Sequence, residues 1–142
     1  MNQTFKANEL VTVVTENRTP PNCDITLNIR PVKAENGSAE AVWQVDENFI
    51  NGVGVAMGGY VASAADITMA YAISSLLESS ESFFSINLQT TFHKPVAVGE
   101  AVVEAKVEKK GRKVAYLIAE VKQNGKLAAT VHSSVMIINN EE

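Results

Sequence analysis

A chain of 142 residues, 46% hydrophobic and 20% charged, has the size and composition of one globular domain that buries its core without metal or disulfide support. Its formal net charge of -4 argues against a nucleic-acid partner, because backbone binding rests on positive surface. Cys23 is the only cysteine, no basic-then-apolar leader precedes Leu10, and no run nears the roughly 20 apolar residues of a membrane span, so the expectation is a soluble cytoplasmic protein with no membrane contact.

Residues 4 to 17 predict a short helix, closed off by Pro20 and Pro21, and residues 1 to 22 read as an N-terminal extension to a core spanning 23 to 138. Alternation through Ile25, Leu27, Ile29 and Pro31, the Asn36-Gly37 turn signal, and renewed alternation at Ala39, Ala41, Trp43 and Val45 predict a hairpin. Residues 46 to 56 read as loop. A helix is predicted from about Tyr60 to Leu77, with an apolar stripe at 61, 65, 69, 72, 73 and 76 and little on its other sides that suits water.

The period then changes to two. Phe84, Ile86, Leu88, Thr90 and Phe92 are expected on one side of a strand and Ser85, Asn87, Gln89, Thr91 and His93 on the other, up to Pro95. Strands at about 100 to 109, 113 to 123 and 126 to 138, separated by Gly111 and by Asn124-Gly125, read as an antiparallel meander. The expected fold class is therefore α+β: an antiparallel sheet wrapped around one long central helix, the arrangement called a hotdog fold.

Two features stand out for chemistry. The segment Asn51-Gly52-Val53-Gly54-Val55-Ala56-Met57-Gly58-Gly59 ends where the helix begins, and the first N–H groups of a helix lack internal partners and sit at its positive end. Such a junction suits a carbonyl oxygen acquiring negative charge. Asp66 is the only charged residue between Glu47 and Glu78, and an acid in such apolar surroundings is a functional-site candidate.

Other chemistries lack their residues. There are no zinc-like Cys/His spacings, no phosphate-binding loop, no dinucleotide fingerprint and no Gly-x-Ser-x-Gly elbow. Cys23 has no His nearby in sequence, and His93 and His132 read as structural or surface residues. Lys109-Lys110-Gly111-Arg112-Lys113 reads as a solvated hairpin tip or as a local anchor for a phosphorylated ligand.

The pattern Asn51-x-x-Gly54-x-x-Met57-Gly58-Gly59, then Ala65-Asp66, then Ser85-x-Asn87-x-Gln89-x-Thr91-Phe92-x-x-Pro95-x-x-x-Gly99, resembles the hotdog thioesterases of the phenylacetate-degradation type. Gly111-Arg112 and Gly125-Lys126-Leu127-Ala128-Ala129 continue the likeness, which covers roughly residues 36 to 138. The resemblance implies hydrolysis of an acyl-CoA, aryl or of medium length, with no metal and no cofactor beyond the coenzyme A of the substrate. It implies that Asp66 is general base or nucleophile, that the Gly58 N–H polarises the carbonyl, and that Asn51 and Ser85 position the reactants. Beside the resemblance, Met57 and Gly59 are read as substrate-binding positions, and Arg112 and Lys113 of the basic cluster as candidates to hold the coenzyme A phosphates.

One position departs from the family. The residue before the double glycine is usually His or another polar group there, and a thioether such as Met57 can neither donate a proton nor make a strong hydrogen bond. That substitution leaves open a non-catalytic acyl-CoA or lipid-like ligand binder on the same scaffold. A hydratase is a further alternative, without an evident Asp/His pair to support it.

Spacing adds a structural expectation. Gly58 and Asp66 are eight residues apart, about 12 Å along one helix at about 1.5 Å per residue. Two groups so far apart cannot serve one carbonyl, so the second must come from another copy. The resemblance implies the same: a homodimer, commonly paired into a homotetramer, with sites at the seam.

Overall fold

The computed structural model describes residues 4–140. Three short helical pieces lead in: a 3-10 turn at Ala7–Glu9, helix α1 at Thr12–Thr15 and helix α2 at Asn22–Leu27. The hairpin β1 (Ile29–Glu35) and β2 (Ser38–Val45) follows, then a 3-10 turn at Glu47–Phe49 and the central helix α3 (Gly58–Ser74). Strands β3 (Glu81–Ser85), β4 (Gln89–Phe92), β5 (Gly99–Lys110), β6 (Val114–Gln123) and β7 (Lys126–Asn139) complete the chain. They form one antiparallel sheet in the order β1-β2-β5-β6-β7-β3, with β4 also paired to β7.

Helix α3 packs on β1, β2, β5 and β6, and its buried residues run from Val61 and Ala64 through Met69 to Ile73 and Ser74. Ala64, Ala65 and Ala72 admit no solvent, and these small side chains let the inner rows of the sheet approach the helix. Trp43, Leu117, Val103, Val121 and Val131 fill the space between helix and sheet. The Trp43 indole N–H donates to the Leu27 carbonyl at 2.9 Å, so this buried polar atom is satisfied. The result is the expected hotdog arrangement. Among the described residues no helix is long and apolar enough to cross a membrane.

The expected strand beginning at Ile25 is instead helix α2. Its buried residues are Asp24 and Leu27, three apart, while Ile25 faces solvent. Pro21 precedes the first turn, and Asn28 in the left-handed region (φ 63°) ends it, so β1 starts only at Ile29. The short helix expected over 4 to 17 is divided into the Ala7–Glu9 turn and the single turn α1. Helix α3 starts at Gly58 rather than Tyr60 and stops at Ser74, where the Ser74 hydroxyl donates to the Ala7 carbonyl at 2.5 Å and ties the lead-in segment to the helix end.

The strand expected over 84 to 92 is two. Ser85 faces Val135 and Gln89 faces His132, so three residues, 86 to 88, oppose two, 133 and 134. This is a bulge with one extra residue. Asn87 closes it: its carboxamide oxygen accepts from the Ser134 N–H at 2.9 Å, and its carbonyl accepts from the Ser133 hydroxyl at 2.9 Å. One extra residue inverts the alternation. Ser85 lies in the row of buried Val135, and Phe92 in the row of buried Ala129, whereas Phe84 lies in the row of Met136 on the outer face. The single apolar row expected from Phe84 to Phe92 therefore does not exist.

Candidate active site

The residues singled out by the sequence fall into two groups. The first surrounds the start of α3. Asn51 accepts on its carboxamide oxygen from the N–H groups of Val53 at 3.0 Å and Val55 at 3.3 Å, and its own N–H donates to the Val55 carbonyl at 2.8 Å. Its oxygen is thereby committed to shaping the loop, and only its NH2 group remains to be offered to a substrate. Gly54, at φ +90°, supplies the left-handed step that this tight loop requires. The Ala56 N–H donating to the Val96 carbonyl and the Met57 N–H donating to the Phe49 carbonyl, both at 2.8 Å, fix the loop against its neighbours.

Helix α3 then begins with Met57 as an extended N-cap that makes no side-chain cap bond. The N–H groups of Tyr60 and Val61 turn back to the Met57 carbonyl, while those of Gly58 and Gly59 donate to nothing among the described residues. Two adjacent unpaired donors at the positive end of a 17-residue helix are the groups that a carbonyl oxygen acquiring negative charge would need. Gly58 opens on a cleft of about 470 Å³ lined by Asn51, Val55, Ala56, Val61, Phe92 and, beyond it, His93 to Val96. The His93 ring nitrogen Nε2 lies 3.0 Å from the Thr130 hydroxyl. Met57 points outward, its terminal methyl lying over Gly59, and it is not among the cleft-lining side chains.

The second group is Asp66 and Ser85. The Ser85 hydroxyl donates to the Asp66 carboxylate at 3.5 Å, the outer limit for such a bond. Desolvation by surrounding protein pushes the Asp66 carboxyl above the ordinary carboxylate range, and the Ser85 hydroxyl pulls it back. Water still reaches Asp66 in a single chain, so screening limits that lift. Asp66 lies two turns of α3 beyond Gly58, about 12 Å away by helical rise, and does not line the Gly58 cleft.

Arg112 and Lys113 belong to neither group. They border a separate cleft of about 440 Å³ with Glu81, Met136 and Asn139, where β3 begins, four residues along β3 from Ser85. The cation that does line the Gly58 cleft is Lys94, which the sequence did not single out, and His93 lies beside it. Sequence reasoning also passed over Asn87, whose motif position is explained by the bulge, and Asp24. The Asp24 carboxylate is buried and accepts from the Tyr71 hydroxyl at 2.6 Å and the Cys23 thiol at 3.4 Å. Among the described residues no three His, Cys, Asp or Glu side chains come together as a metal would require.

The fold has counterparts among known proteins. Among curated proteins, none matches the chain. Among solved structures, a putative thioesterase from Ralstonia eutropha JMP134, described as phenylacetic acid degradation-related, is 28% identical with a TM-score of 0.83, covering 89% of this chain and 98% of its own. A conserved protein from Pseudomonas aeruginosa is 27% identical, with a TM-score of 0.79 over 82% of this chain and 94% of its own. The PaaI protein of the E. coli phenylacetic acid degradation operon shares the fold, at 23% identity and a TM-score of 0.79 over 94% of each chain. The family model described as the thioesterase superfamily matches residues 53–129, a span that takes in Gly58, the whole of α3, Ser85 and Phe92. The chain therefore belongs to the thioesterase superfamily.

Proposed function

We propose that the protein hydrolyses an acyl-CoA, aryl or of medium chain length, at a site assembled from two copies of the chain. The observation that carries this reading is the division just described: the unpaired Gly58 N–H and the Asp66 carboxylate lie on one straight helix, too far apart to serve one carbonyl. A twofold axis that sets the Gly58 cleft of one copy against Asp66 and Ser85 of the other resolves the conflict. Exposed Met57, Ile86, Leu88 and Phe92 give that seam apolar surface, and the free edge of β3 gives it backbone groups to pair. Two such dimers would pair into the homotetramer.

In this reading Asp66 takes a proton from water as the water oxygen adds to the thioester carbonyl. The resulting oxyanion is held by the Gly58 N–H. Collapse breaks the carbon–sulfur bond, and the coenzyme A sulfur leaves with the proton returned by Asp66, giving the free acid. Asn51 and Ser85 position the reactants, and no group beyond substrate and water is consumed. Lys94 borders the same cleft as Gly58 and is placed to meet a phosphate of the substrate. The reaction belongs in the cytoplasm, where the exposed Cys23 stays reduced. The likeness to the Ralstonia eutropha protein, which is phenylacetic acid degradation-related, supports an aryl acyl group.

A second reading, a binder without turnover, is favoured by Met57, which caps the helix start without offering a proton. Thiol release from a panel of aryl and aliphatic acyl-CoAs decides between them when run beside Asp66→Asn. Turnover lost on substitution supports hydrolysis; tight binding with no turnover by the wild type supports the binder.

A further inference from the structure

Phe92 occupies an unusual place for a large aromatic residue. It lies on the inner row of the sheet, opposite fully buried Ala129, yet 54% of its surface is exposed. Its ring points end-on at the helix start. A Cβ built on Gly58 would lie 2.8 Å from Phe92 Cζ and 3.4 Å from both Cε atoms, so the ring tip fills the space that a side chain at 58 would need. The neighbouring walls of the cleft, Val55, Ala56, Val61, Pro95 and Val96, are apolar.

A carbonyl held by the Gly58 N–H has this ring as its neighbour, and the acyl carbons attached to it must run past the ring tip. A flat aryl group or a short chain can lie against an aromatic face, whereas a long chain meets the ring as an obstruction. We propose that Phe92 is the specificity-determining residue of the site, sorting acyl groups by length and shape at the floor of the Gly58 cleft. This rests on the acyl-CoA reading above. The bulge at 86 to 88 is what makes it possible, because without the extra residue Phe92 would face outward whenever Ser85 faced inward.

The test is kcat/KM for acetyl-, hexanoyl-, decanoyl-, benzoyl- and phenylacetyl-CoA with the wild type, Phe92→Ala, Phe92→Leu and Phe92→Tyr. Circular dichroism and elution volume check folding, and Phe92→Leu, which keeps most of the apolar volume, serves if Phe92→Ala does not fold. Binding of acyl-CoA thioether analogues, which cannot be hydrolysed, is measured in parallel. Phe92→Ala should raise the decanoyl-to-phenylacetyl ratio by about tenfold or more, the scale expected of apolar-pocket discrimination, and Phe92→Tyr should leave it near the wild-type value. An equal change for every acyl group overturns the sorting role while leaving hydrolysis intact. Analogue binding whose length order depends on Phe92, with no turnover by the wild type, retains the sorting role and overturns hydrolysis. Binding whose order is indifferent to Phe92, again without turnover, overturns both.

Discussion

Asp66 and Ser85 form the pair on which the proposed chemistry turns, and their contact makes a pH prediction. A base acts in its ionised form, so kcat/KM should rise with pH through the Asp66 pKa, which burial holds above the ordinary value of 3.8. The Ser85 hydroxyl favours the charged form and pulls the other way, so Ser85→Ala should move that acid limb to higher pH. A limb that moves to lower pH, or stays fixed, would remove Ser85 from the site. Asp66→Asn keeps the shape of the side chain and should lower kcat by about 10²- to 10⁴-fold, the usual worth of a general base, with the melting temperature maintained. That Asp66 deserved attention was legible in the sequence, because nothing else between Glu47 and Glu78 carries charge. Its hydroxyl partner was legible only through the family motif, since a strand serine by itself carries no signal.

At the scale of elements, the parts legible in sequence are those set by local physics. Asn36 and Asn124 adopt φ +52° and +54° with glycines after them, as their Asn-Gly signals require, and both hairpin turns form where expected. Helix α3 followed from its run of small and apolar residues. The bulge at 86 to 88 was not legible, because it is defined by the register of β7, a strand some 40 residues downstream of β3. Asn87→Ala removes the acceptor for the Ser134 N–H and should cost about 0.5–1.5 kcal/mol in urea unfolding, together with a fall in kcat/KM as Ser85 and Phe92 lose their common facing. Loss of stability with unchanged kinetics would mean that the bulge does not position the site.

Helix α2 was misread because Ile25 and Leu27 alternate as a strand would, and only the tertiary bond from Tyr71 to Asp24 explains why an acid is buried there. Burial raises the Asp24 pKa, while the Tyr71 hydroxyl lowers it. A carboxyl whose folded pKa is raised contributes stability fully below the unfolded pKa, near 3.8, and loses it as pH rises to the folded pKa. Tyr71→Phe takes away the bond to the charged form, so its destabilisation, about 1–3 kcal/mol where Asp24 is ionised, should grow as pH rises from below 3.8 in a series of urea melts. A deficit that stays the same across the series would show that the bond does not favour the charged form.

Over the whole molecule, the sequence implied a shared site from eight residues of helical spacing, and the fold keeps the two halves on that one helix. What spacing could not convey was which turns lie near which half: Arg112 and Lys113 border a cleft at the start of β3, separate from the one at Gly58. The central claim is that one copy supplies the Gly58 N–H and another supplies Asp66. Proline at 58 removes that N–H, and the backbone accepts it: the position is the first of the helix, Met57 before it is already extended at ψ 136°, and the crowding falls on the movable tip of Phe92. Gly58→Pro and Asp66→Asn should each be nearly inactive alone. Co-expressed with different affinity tags and purified through both, they form a heterodimer with one site intact and the other carrying both lesions. The account predicts that this heterodimer recovers about half of the wild-type thiol-release rate per dimer, since sites at a twofold seam are built from opposite chains. Recovery of no activity in a verified heterodimer would contradict it, because each chain would then hold a complete and damaged site of its own.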